Sequence, residues 1–313
     1  MSVNVPGVNI FAGAPSLTDD LYATTGQVFF VGNGTPVPGG VVGVNSGEVG
    51  HTPKQPFSTI DYAIGQCTAG RGDLIIVNPG HAETVTTAIA LDVAGVRIVG
   101  LGWGRLRPAI TPSGAIDTLN VTAANCHIHN LRFVAVAADC TAHINIAGAD
   151  FKATNCIIEQ GAVPLIGVTV PRAGTRFIFD RCEWMGMAAG PDNAIVFEGG
   201  GGATNQANWR VTNCLFDYGN TGIDEGVIQS SFETLGGLVY NCTMIGVDTL
   251  IADFNSSNQV QGDGLLANIL VCTGVSISDI DTAIDHGGYH SANVLISDLV
   301  AASAAKTPLV TPA

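Results

Sequence analysis

HIHNLRF (127–133), KATNCII (152–158), IFDRCEW (178–184), RVTNCLF (210–216) and LVYNCTM (238–244) are five versions of one segment. In each, a turn-type residue is followed at once by Cys or Leu, with short apolar stretches on both sides. RIVGLGW (97–103) fits one turn earlier, while LLANILV (265–271) and LISDLVA (295–301) extend the series. The turn position falls at Gly100, Asn130, Asn155, Arg181, Asn213, Asn241, Asn268 and Asp298, at spacings of 25 to 32 residues. A phase held over about 200 residues marks a repeat architecture.

Each unit carries a second signal upstream. DTLNVTA, TAHINIAG, LIGVTVPR, NAIVFEGG, EGVIQSSF, DTLIADFN and DTAIDHGG are short, rich in β-branched residues and bounded by Gly, Asn or Pro. Each unit therefore reads as two or three short strands with sharp turns and no room for an amphipathic helix. The spaced leucines of leucine-rich repeats are missing. Strands recurring at this period imply a coil that winds once per unit, with parallel sheets between coils and equivalent side chains stacked along the axis. Cys156, Cys182, Cys214 and Cys242 then share a column with Leu131, Ile269 and Leu299 and read as small buried hydrophobes.

Upstream, PFSTIDYAIGQCTAGRGDLIIVNPGHAETV (56–85) offers Ser58 or Thr59 as a helix cap and Ile60, Ala63 and Ile64 as a short apolar face. GRGD (70–73) is a turn and LIIV (74–77) a buried strand. A short helix here would cover the open edge of the first coil. This arrangement, with VAGVRIVGLGWGRLRPAI (93–110) and the lead-in FFVGNG…GVNSGEVGHTPKQPF, resembles right-handed parallel β-helix proteins of the pectin-lyase-like class. The likeness covers about residues 28 to 300. It implies an all-β, single-stranded solenoid of about eight or more coils with an N-terminal capping helix. The glycine-rich arm, GRGDLIIVNPGHAET and the VTAANCHIHNLRF-type repeats resemble more closely the β-helical virion proteins of tailed bacteriophages. That resemblance implies a particle component such as a head decoration, a cement protein or a spike, contacts with the major capsid protein or other virion proteins, and a homotrimer.

The expected organisation is an N-terminal arm over 1–50, for attachment or capping, the β-helix over 51–300 and a C-terminal tail over 301–313. The arm is broken by Pro6, Pro15, Pro36 and Pro38. It suits a segment lying along a partner surface as well as one folded back on the coil.

Composition excludes several function classes. The chain has 313 residues, 46% hydrophobic and 12% charged, with a formal net charge of −14. Between Arg210 and Lys306 there is no lysine or arginine and there are eleven acidic residues. Such a surface repels phosphate backbones, which argues against nucleic acid and makes a poor cradle for uronic-acid polymers. No apolar run has the roughly 18 residues that cross a membrane. The first residues show no secretory signal. Eight cysteines without CxxC pairs fit neither a disulfide scaffold nor a zinc ribbon.

Cys126, His127 and His129 could supply soft-metal ligands, yet the frame persists in other turns without histidine, so both rings read as surface residues opposite Ile128. Paired carboxylates for glycoside cleavage could come from Asp180, Glu183, Asp217, Asp253 or Asp285, with Asp217 out of register with Asp180 and Glu183. A lyase-like base could come from Arg132, Arg172, Arg176, Arg181 or Arg210, but no acidic cluster with calcium-loop spacing accompanies them. Asp285, His286 and His290 form an incomplete metal set. Trp184 and Trp209 read as packing residues more readily than as sugar platforms, and Trp103 is the third tryptophan. The sequence thus assigns no catalytic, cofactor-binding or metal-binding residue. It points to a non-enzymatic virion component, with a tailspike-type polysaccharide depolymerase, or an adhesin for a host surface glycan, as the alternative.

Overall fold

The structure is a computed structural model. It describes residues 24–33, 41–135, 140–161, 166–187, 191–198, 206–218, 226–230 and 234–245, together with the backbone strands at 251–252, 264–266, 269–273, 289–291 and 294–298.

Each coil contributes one strand to each of three parallel sheets. Among the described residues these sheets have ten, nine and seven strands, here called first, second and third. Strands such as Lys152–Thr154 enter the first sheet, Ile157–Gln160 the second and Ile166–Pro171 the third, and the next coil repeats the order. The register is direct. Ile98, Ile128, Ala153, Phe179, Val211 and Val239 stack inside the first sheet. Ile110, Phe133, Ile158, Trp184, Phe216 and Met244 stack inside the second, and Leu119, Ile144, Val168, Ile195 and Ile228 inside the third. All of these are buried and belong to one core. A period of two along each strand is sufficient to place one face inward.

The repeat motif is the corner between the first and second sheets. Asn130, Asn155, Arg181, Asn213 and Asn241 all have φ between 53° and 56°. Asn is the non-glycine residue that tolerates this left-handed region best. Its amide also bridges coils: Asn155 Nδ2 donates to Asn130 Oδ1 (3.0 Å), Asn241 Nδ2 to Asn213 Oδ1 (2.8 Å), and Asn130 Nδ2 to the Gly100 carbonyl (2.8 Å). Gly100 differs from its successors because a Cβ there would lie 2.3 Å from the Asn130 carbonyl oxygen.

A second left-handed corner lies five residues earlier, at Gly95, Asn125, Asp150, Arg176, Asn208 and Gly236. Five of its six positions are Gly, Asn or Asp, but the residues that follow them vary from Val96 to Trp209, so no recurring dipeptide marks this corner in the sequence. Behind it stack Val96, Cys126, Phe151, Phe177 and Trp209, all buried. Phe177 and Trp209 lie face to face at 6.2 Å.

The last two rungs depart from the sequence alignment. Thr243 pairs with Ile269, and Ile269 with Val294. Ile269 therefore follows Thr243 and not Cys242, and Asn268 lies outside the described residues. Asp298 sits inside a strand opposite Thr273. A polar residue followed by an apolar one occurs twice in NVLISDLV, and only ladder register distinguishes the two. Leu299 and the segment 274–288 lie outside the described residues.

The N-terminal end is closed as expected. The helix Ile60–Gly65 is capped by Thr59 and buries Ile60, Ala63 and Ile64. Its Asp61 accepts the Ala90 amide (2.9 Å) at the edge of the third sheet. Glu83 accepts the Ile60 amide (3.0 Å), tying the helix to the first coil. The edge strand Val28–Val31, within the stretch read as arm, is the first strand of the first sheet. Its outer amide and carbonyl groups pair with Gly50 and Phe57. No helix among the described residues is long and apolar enough to cross a membrane.

Candidate functional site

The outer faces of the three sheets are where a solenoid presents chemistry. On the first sheet, one outward row runs Arg97, His127, Lys152, Ile178, Arg210 and Leu238, and a second runs Val99, His129, Thr154, Asp180, Thr212 and Tyr240. His127 and His129 flank buried Ile128, as expected. His127 Nε2 and His129 Nδ1 lie 2.9 and 2.7 Å from the same hydroxyl, Thr154 Oγ1. Burial, followed by the nearby charges of Lys152, His129 and Arg97, pushes the His127 ring down to about 3. A neutral ring bound to the next coil's threonine is a tie between rungs. Cys126 points to the opposite side, buried against the Val93 and Ala124 carbonyls.

The carboxylates differ in what holds them and in which face they occupy. Burial alone would raise Asp180, but bonds from Asn213 Nδ2 (2.7 Å) and Thr212 Oγ1 (2.9 Å), with Arg181 alongside, hold it below its usual value. Asp150 is gripped by both arms of the Arg176 guanidinium at 2.7 and 2.6 Å and is lowered by that bond. Glu159, nearly buried, pairs with Arg132 at 2.6 Å. Glu183 and Asp217 occupy adjacent coils on the outer face of the second sheet, where Glu183 pairs with Leu215 and Asp217 with Met185. They are out of register by two residues. Asp180 faces out from the first sheet instead, separated from Glu183 by the corner. Asp253, Asp285 and His286 lie outside the described residues. At His290 only the backbone strand is described.

GRGD is a structural turn. Gly70 and Gly72 have positive φ, and Asp73 is fully buried. Burial would raise its carboxyl, yet the two hydrogen bonds donated by the Arg71 guanidinium (2.6 and 2.7 Å) and those from the Thr68 and Gln27 amides outweigh it and lower it. An aspartate held in this way is not presented to a receptor.

The aromatics also sort clearly. Trp184 and Trp209 are core residues, Trp184 stacked on Phe216 at 4.6 Å. Trp103, at 79% exposure, stands on the surface. Inside the coil, near the junction of the second and third sheets, His143 bridges Thr118 Oγ1 (3.0 Å) and the Glu159 carbonyl (2.7 Å). Tyr218 there donates to Gln160 Oε1 (2.6 Å). Burial pushes His143 down to about 4. This polar cluster lay beyond sequence reasoning, since its members are 16 to 58 residues apart.

Cys156, Cys182, Cys214 and Cys242 stack behind the asparagine corner as free, buried thiols. Burial raises Cys156, Cys182 and Cys214, while the bond from Cys214 lowers Cys242 at the column's end. Among the described residues no group of three or more metal-ligating side chains converges.

No family model and no curated protein matches the chain. Solved structures do. A rhamnogalacturonan lyase superposes with a TM-score of 0.53 at 13% identity, over 87% of this chain and 73% of the lyase. A pectate lyase gives 0.49 at 12% identity, over 93% and 82%. The ORF18 protein of Geobacillus virus E2 gives 0.40 at 13%, over 76% of this chain and 57% of its own, so the chain spans little more than half of that protein. The chain has the right-handed parallel β-helix fold of the pectin-lyase-like class. At these identities the likeness speaks for the fold alone.

Proposed function

We propose that the chain is a non-enzymatic structural component of a tailed-phage virion: a head decoration, cement or head-spike protein that acts as a rigid body seated on the shell by its N-terminal end. One observation carries the reading. The polar side chains on the outer faces are largely spent on joining one coil to the next, as in the Asn155–Asn130 and Asn241–Asn213 bridges, the two histidines on Thr154, and Arg176 on Asp150. Such a surface favours stiffness over turnover. The exposed Val42 and Val44, beside the edge strand, supply apolar area at the base that suits seating. The sequence resemblance to phage β-helices supplies the setting. Quantitative mass spectrometry of purified particles tests it: hundreds of copies support decoration, a few support a spike, and absence from particles refutes the reading. Deletion of residues 1–23, which spares the edge strand, is expected to lower incorporation while leaving a folded solenoid.

A depolymerase reading is favoured by one feature. Glu183 and Asp217 share an outer face on adjacent coils, and diagonal neighbours in a sheet lie about 7–8 Å apart. That separation falls within the roughly 6.5–9.5 Å of inverting glycosidases. Release of reducing ends from host glycans, abolished by both Glu183→Gln and Asp217→Asn, would establish that reading in place of the first.

A further inference from the structure

We infer that the outer face of the first sheet binds the outer face of the second sheet on another copy of this chain, side by side with parallel axes and no axial shift. Some charges on these faces are answered within one copy and others are not. Asp180 is tied to Arg181, Thr212 and Asn213, and Arg132 to Glu159. Lys152 and Arg210 on the first sheet, and Glu183 on the second, make no ion pair among the described residues.

Their heights interlock. Lys152, Ile178 and Arg210 are consecutive in one outward row. The second-sheet row on the same three coils is Ile157, Glu183 and Leu215. One row therefore alternates cation, aliphatic, cation, and the other aliphatic, carboxylate, aliphatic. With the two faces opposed at equal height, Glu183 meets Ile178 and lies between Lys152 and Arg210, each one rung away, about 4.8 Å along the axis. Ile157 and Leu215, both half-buried in the single chain, meet the methylene stems of Lys152 and Arg210. The contact joins two different faces, so every copy keeps one of each for a further neighbour, and the assembly closes as a ring. The row order comes from ladder register alone and is independent of the virion reading.

Native mass spectrometry and sedimentation of the full chain at low salt test this. The wild-type chain is expected to form a closed oligomer that weakens as salt rises, since exposed charges are screened over about 10 Å at 0.1 M. Glu183→Lys, and separately Lys152→Glu with Arg210→Glu, should each weaken association at least tenfold. Combining all three reversals should restore it. The circular dichroism spectrum of the folded chain should be unchanged in every variant, because the three side chains lie on the outside of the coil, and melting should shift only as far as association is lost. A monomeric wild-type chain, or reversals that leave assembly intact, or a triple variant that fails to reassemble while still folded, would overturn the inference.

Discussion

Asn213 offers the sharpest test of the corner that builds this fold. Its φ of 55° is left-handed, its Nδ2 donates to Asp180 Oδ1 at 2.7 Å, and its Oδ1 accepts from Asn241 Nδ2 at 2.8 Å. Asn213→Ala removes both side-chain bonds and forces a Cβ-bearing residue without a local hydrogen bond into that region. Two net bonds at about 1 kcal/mol each and about 1 kcal/mol of backbone strain give an upper figure of roughly 3 kcal/mol. Water replaces part of the lost bonding at this exposed corner, so about 2 kcal/mol is expected. Asn213→Gly loses the same bonds without the strain and should be milder by about 1 kcal/mol. A solenoid unfolds locally, so the suitable assay is amide hydrogen exchange rather than one global midpoint. The amides of Arg181 and Asn213, bonded to Thr212 and Tyr240 carbonyls, should exchange roughly 30-fold faster in the alanine variant and several-fold less fast in the glycine variant. The amide of Asn130, on a distant coil, should be unaffected. Alanine tolerated as well as glycine would show that the backbone at 213 is not left-handed, and the argument for the repeat would fail with it.

Two further outcomes follow from burial. Cys126, Cys140, Cys156, Cys182, Cys214 and Cys242 are free and buried, so a bulky thiol reagent should leave them unmodified in the native chain and label them on unfolding; labelling without unfolding would contradict the stacked interior. His143 is held neutral, its ring lowered from 6.5 to about 4 by burial. Its contribution to stability is therefore complete above pH 6.5 and is lost as pH falls from there towards 4, by about 3 kcal/mol. Denaturation profiles between pH 7 and 4 should show this decline, with His127 adding to it in the same direction, and His143→Gln should flatten it. The carboxylates Asp73 and Asp180, lowered in the fold from 3.8, lose their contribution only as pH falls below that value, beyond the His143 window and overlapping the lower end of that of His127.

Much of this protein is legible in its one-dimensional pattern. The left-handed corner selects asparagine or glycine by backbone sterics, and the next position must fit inside the coil. NC and NL dipeptides at a period of 25 to 32 therefore reveal the winding, the thiol column and the outward histidines. The capping helix was equally visible through Thr59 and the spacing of Ile60, Ala63 and Ile64.

Tertiary structure alone decided the rest, because ladder register relates residues a full coil apart and leaves no mark on either. It placed Ile269 after Thr243 and not after Cys242, set Asp298 in a strand opposite Thr273, and revealed the second corner, which runs through Asp150 and Arg176. Net charge was readable from composition. Which charges are neutralised within the chain, and how Lys152, Arg210 and Glu183 come to lie on neighbouring coils, depends on how far each coil slides against the next.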